Sequence, residues 1–140
     1  MTTTRRQALM LGTGTLAFAA LTGLPAFASA VDERIAAFTG GAEVGEGGVT
    51  LTAPEIAENG NTVPIEVSAP GAEAIMVLAT GNPNPDVGTF NFGPLAAEQS
   101  AATRIRLAST QDVVAIARMP DGTFARASQE VKVTIGGCGG

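Results

Sequence analysis

Two short stretches, Ala74-Ile75-Met76-Val77-Leu78-Ala79 and Val113-Val114-Ala115-Ile116-Ala117, are apolar at every position. In an extended strand successive side chains point to opposite faces, so a run with no polar residue has to be covered on both sides. In an open antiparallel sandwich the second sheet covers only one side. A further layer, a loop or a second protein, is therefore expected over these two runs. The other β-type runs are Val49 to Ala53, Thr62 to Ala69, Gly88 to Phe92, Ala102 to Ala108 and Thr123 to Ile135, all separated by turn residues. Together with Ala74 to Thr80 and Asp112 to Met119, they predict an all-β sandwich.

Several runs state which side is wet. Val63, Ile65 and Val67 share one face, and Ile105 and Leu107 alternate with Arg104 and Arg106. Pro64 cannot donate to a ladder, which favours an edge position or a bulge. Turns are expected at Asn59-Gly60-Asn61, Pro70-Gly71, Asn82-Pro83-Asn84-Pro85 and Asp121-Gly122. Val31, Ile35 and Phe38 recur at helical spacing behind Asp32 and Glu33, predicting one short helix over Val31 to Phe38, with Thr39 to Gly48 as a loop.

The first thirty residues read as a twin-arginine export signal, cleaved. Arg5-Arg6 precedes the uncharged run Ala8 to Leu24, and Ala28-Ser29-Ala30 is a small-x-small cleavage site before Val31. The run is 17 residues, just short of a comfortable span. Without Arg5 and Arg6, six basic and thirteen acidic residues remain, a net charge of −7. Nucleic acid and anionic lipid surfaces would repel such a chain. The domain is expected over residues 31–135.

The remaining residues, Gly136-Gly137-Cys138-Gly139-Gly140, set the single cysteine between two glycine pairs. Glycine explores φ of either sign and has no side chain to pack, so this reads as a tether starting where the strand Val131 to Ile135 ends. Cys138 lies three residues beyond Ile135, and an extended chain spans about 3.3–3.6 Å per residue, so the thiol can stand roughly 10 Å off the body. One cysteine excludes an internal disulfide in an oxidising compartment. A model thiol titrates near pKa ~8.5, and four glycines bring no charge to lower that value. The arm therefore supplies reach and an unhindered sulfur, and activation has to come from a receiving pocket.

Catalytic chemistry on the chain itself is poorly provided for. There is no His, Tyr or Trp, which removes the usual general base, the Cys–His pair and histidine metal sites. Glu55 and Glu58 read as a solvated turn, no EF-hand spacing appears, and Gly40-Gly41 and Gly47-Gly48 lack the context of a phosphate loop. No metal site and no bound cofactor is expected. Three readings of Cys138 stand beside one another: a covalent carrier, an intermolecular disulfide in an adhesion or structural module, and an enzyme acting through the thiol. A Gly-Gly thiocarboxylate carrier does not suit an exported chain, and prenylation needs cysteine fourth from the end.

The segments Ala53-Pro54-Glu55-Ile56-Ala57-Glu58-Asn59-Gly60 and Val63-Pro64, the turn Asn82-Pro83-Asn84-Pro85 and the ending Val131-Lys132-Val133-Thr134-Ile135-Gly136-Gly137-Cys138-Gly139-Gly140 closely resemble SoxY, the sulfur-carrier family of periplasmic thiosulfate oxidation. The resemblance implies an immunoglobulin-like antiparallel β-sandwich with a short N-terminal helix, paired as a heterodimer with a SoxZ-type subunit. It also implies that Cys138 holds sulfur covalently, on an arm formed by Gly136, Gly137, Gly139 and Gly140. A haem c enzyme would join thiosulfate to the cysteine as an S-thiosulfonate, a dimanganese hydrolase would release sulfate, and a molybdenum sulfane dehydrogenase would oxidise what remains. Those metals would belong to the partners.

Overall fold

The computed structural model describes residues 26–135; the twin arginines and residues 136–140, with Cys138 among them, lie outside the described residues. A helix, α1 (Ala26–Thr39), is followed by nine strands: β1 (Val44–Glu46), β2 (Thr50–Thr52), β3 (Ile56–Ala57), β4 (Val63–Ser68), β5 (Ala74–Ala79), β6 (Asp86–Asn91), β7 (Ser100–Ile105), β8 (Gln111–Arg118) and β9 (Phe124–Val133). The larger sheet runs β1-β9-β8-β5-β6 with β3 also on β9, and the smaller runs β2-β4-β7. Stacked, they form an immunoglobulin-like sandwich. Among the described residues no helix is long and apolar enough to cross a membrane.

The doubly apolar runs explain the third layer. In β5 and β8 the odd positions Ile75, Val77, Ala79, Val113, Ala115 and Ala117 face the smaller sheet, where they meet Val63, Ile65, Val67, Ile105 and Leu107. The even positions Met76, Leu78, Val114 and Ile116 face the other way and meet Val31, with Ile35 and Phe38 packed alongside. All of β5 is fully buried. The cover is thus the chain's own helix, not a loop or a second protein. The pattern of Val31, Ile35 and Phe38 was legible; what it packed against was not.

Helix α1 is also pinned at its rim. Arg34 Nη2 lies 3.0 Å from Asp86 Oδ2 on β6. The Phe38 ring stands edge-on to Phe124 with centroids 5.8 Å apart, and the Arg118 guanidinium sits 5.2 Å from the Phe38 centroid. Exposed ion pairs of this kind contribute about 0–1 kcal/mol, so the apolar face decides the docking. The helix ends when Gly40, at φ +66°, turns its N–H back to the Ala36 carbonyl at 2.8 Å. It begins at Ala26 rather than Val31, running through the expected cleavage point.

Two segments expected to be irregular are strands. Val44–Glu46 runs parallel to Phe124–Arg126, and Ile56–Ala57 runs parallel to Lys132–Val133. Both are too short to show a period-two pattern, and both exist because the free edge of β9 offers them a template. Pro64 lies opposite Arg104 in β7, on the stretch of β4 that β2 no longer accompanies, since Thr52 pairs with Glu66. Its missing N–H therefore leaves no partner waiting. At the β8–β9 turn, Asp121 accepts from the Thr123 hydroxyl at 2.6 Å and the Thr123 N–H at 3.0 Å, which holds its carboxyl below the usual range. A depressed carboxyl stabilises the fold at neutral pH and loses that contribution as pH falls through its folded value.

Truncating Met76 to Ala, under the helix, is expected to cost about 2–5 kcal/mol in urea unfolding. Ile56, 58% exposed, is expected to tolerate Ala within about 0.5 kcal/mol. Equal effects would mean that α1 does not close the second core.

Candidate functional site: the end of the last strand

The described chain ends at the point from which residues 136–140 depart, and this root is held on two sides. β9 pairs along one edge with β8, Val131 facing Gln111. On its other edge the segment Glu55 to Gly60 runs beside it: the Lys132 N–H donates to the Glu55 carbonyl at 2.9 Å, and the Thr134 N–H donates to the Ala57 carbonyl at 3.1 Å. The Thr134 hydroxyl donates to the Glu58 carbonyl at 3.0 Å. Finally, the Gly60 N–H donates to the carbonyl of Ile135 at 2.7 Å. Four bonds in four residues leave the chain little freedom before the glycines begin.

Glu55 and Glu58 keep their carboxylates in solvent, as a solvated turn requires. What the sequence did not reveal is that their backbone carbonyls hold the root. The signal that could have found this is the neighbourhood of Glu55 to Gly60 in a chain whose last strand has an uncovered edge. Ile135 is 67% exposed and Ile56 58%, so two large apolar side chains stand in the open around the root. Glu55, Ile56, Gln129, Glu130 and Lys132 border an open depression of about 440 Å³ beside it. A wider groove of about 550 Å³ lies on the outer face of the smaller sheet, lined by Pro54, Pro64, Ala102 and Arg104 among others. Neither holds a nucleophile paired with a base.

Among the described residues no group of three or more His, Cys, Asp or Glu stands close enough to hold a metal ion. Asp121, the one carboxyl with a resolved shift among the described residues, sits in the β8–β9 turn and not at the root.

The profile of the family described as "Sulfur oxidation protein SoxY" matches residues 35–138, most of the chain and as far as the cysteine. The chain belongs to the SoxY family. Its match to the solved sulfur carrier protein SoxY from Chlorobium limicola f thiosulfatophilum is 38% identical, covers 77% of this chain and 99% of that one, and has a TM-score of 0.67. A superoxide reductase (neelaredoxin) from Ignicoccus hospitalis matches at 23% identity over 62% of this chain and 80% of its own, TM-score 0.55. A putative superoxide reductase from Thermotoga maritima matches at 20% over 69% and 89%, TM-score 0.52. At such identities these last two share the fold alone. No curated protein matches the chain. Family membership supports a carrier role in sulfur oxidation.

If the root is held as described, replacing Thr134 with Val should weaken the fold by an amount near the low end of roughly 0.5–1.5 kcal/mol, because its bond is solvent-exposed. Amide exchange at Ile56–Ala57 and Lys132–Val133 should rise with it. No change in exchange at those positions would show that the hydroxyl holds nothing.

Proposed function

We propose that Cys138 carries the intermediates of thiosulfate oxidation as covalent adducts and presents them to a series of partner enzymes. The observation that carries this reading is the family match running through residue 138, onto a root whose last described carbonyl is fixed by Gly60. Such an arrangement separates two requirements. The clamp defines where the thiol starts from, and the glycines on either side of Cys138 let the backbone pass where a side chain would clash.

In the first step the Cys138 sulfur forms a bond to the outer sulfur of thiosulfate, losing its proton, and two electrons pass to a haem c partner. The product is a cysteine S-thiosulfonate. A dimanganese hydrolase then adds water across the bond to the sulfone and frees sulfate, which leaves a persulfide on Cys138. A molybdenum sulfane dehydrogenase would take six electrons from that outer sulfur, with three oxygens coming from water, and a second hydrolysis would free it as sulfate and return the Cys138 thiol. This chain holds none of those metals; it supplies the sulfur atom that all three enzymes act on. Its constitutive partner is a SoxZ-type subunit, and its compartment is the periplasm, reached by the twin-arginine route.

Two exposed apolar side chains, Ile56 and Ile135, give the partners something to touch around the arm. A tether reaching roughly 10 Å requires them to come that close.

Changing Cys138 to Ser should abolish thiosulfate-dependent electron flow in a system reconstituted from the partner enzymes, with the unfolding curve and the heterodimer unaltered. Retained flow would refute the carrier role. Gly137→Val should slow the same reaction without altering stability; an unchanged rate would mean that the glycines serve only as slack.

A further inference from the structure

The Asn82-Pro83-Asn84-Pro85 stretch has no part in the carrier chemistry just described, yet its first residue is one of three buried polar side chains among the described residues. Asn82 is 3% exposed. Its Nδ2 donates to the Arg106 carbonyl at 2.8 Å, and its Oδ1 accepts from the Ala108 N–H at 2.9 Å and from Gln111 Nε2 at 2.8 Å. Gln111, 7% exposed, also donates to the Ser109 carbonyl at 3.0 Å and accepts from the Gly81 N–H at 2.8 Å. The fit leaves no room: a Cβ at position 81 would stand 2.9 Å from that of Gln111. Two side-chain amides thus fix the backbone between β7 and β8 at 106, 108 and 109.

That same backbone reaches the arm root by two routes. The Thr110 hydroxyl oxygen accepts from the Val133 N–H at 3.0 Å. The Leu107 N–H donates to the Gly60 carbonyl at 2.7 Å, and the Gly60 N–H donates in turn to the Ile135 carbonyl, also at 2.7 Å. Gly60 is therefore a single-residue link between the loop and the last described residue. A buried, fully satisfied amide pair is rigid because losing either partner strands the other in a low-dielectric setting.

We propose that Asn82 and Gln111 are positioning residues for the carrier arm: they hold the 106–110 loop, and through Gly60 and Thr110 the loop sets the direction in which the chain leaves at Ile135. The inference rests on the carrier reading for its purpose, but not for its geometry. It gives a role to a turn motif that the sulfur chemistry leaves unused.

The test uses the sole thiol as a reporter. A nitroxide is attached to Cys138 of the full mature chain, and its spectrum is compared across variants together with amide exchange. Asn82→Ala and Thr110→Val are each expected to sharpen the nitroxide lines. Exchange is expected to rise roughly five-fold at the amides losing their fixed partners, Ala108 in the first and Val133 in the second, the loss of one hydrogen bond of ordinary net strength. The amides of Ile75–Leu78 in β5 should keep their protection, which a merely structural role for Asn82 would not allow. Thr110→Ser, which retains the oxygen, should match the wild type. If Asn82→Ala also loosens β5, the uncharged, similarly sized Gln111→Met decides, since it removes the Gln111 bonds and leaves those of Asn82 to Arg106 and Ala108 in place. A sharpened spectrum with β5 intact then supports the proposal. Unchanged nitroxide spectra in Asn82→Ala and Gln111→Met overturn it. No sulfur adduct is needed for any of these readings, so failure of the carrier reading would leave the result standing and be seen separately.

Discussion

The burial of β8 on both faces is the constraint on which the rest of the domain depends. Its odd residues close the inter-sheet core and its even residues close the core under α1, while its two edges pair with β5 and β9. A strand fixed on four sides has no soft direction. β9, after which residues 136–140 follow, is hydrogen-bonded to it over eight residue pairs, so the rigidity of the centre extends to that edge.

That edge is where function and fold meet. Only the short β1 and β3 lie beyond β9 in the larger sheet, and a border left open usually invites unwanted pairing. Here β1 caps its beginning and β3 its end, both in parallel, and the Gln129 side chain reaches the Ala53 carbonyl between them. The protection against association thus also holds the strand end from which residues 136–140 follow. The two needs are compatible because a parallel partner travels with β9 to its end, allowing the Glu55 to Gly60 segment to hold Lys132, Thr134 and Ile135 in succession.

Much of this was legible before any coordinates. The alternation of Val63, Ile65 and Val67 located a one-sided strand, the unbroken apolar character of Ala74 to Ala79 demanded two-sided cover, and the spacing of Val31, Ile35 and Phe38 announced a helix. The missing inference was to put those last two together, because nothing in local periodicity says which apolar surfaces meet. The short parallel strands were illegible for a different reason. Two or three residues carry no period, and Glu55 to Gly60 looks like a polar turn until β9 lies beside it. The Asn82–Gln111 pair could not be read either, since a buried amide and a solvated turn amide look alike in sequence. Cys138 lies outside the described residues, so its reading rests on its place between glycines and on the family pattern around it.

The central claim is that inorganic sulfur resides on Cys138 during turnover, and the most direct measurement is the intact mass of the C-terminal peptide from protein isolated during growth on thiosulfate. The account predicts masses on that peptide corresponding to an added thiosulfate-derived group or to added sulfur, removed by reductant. A peptide found only as the free thiol or as a dimer of itself would contradict it.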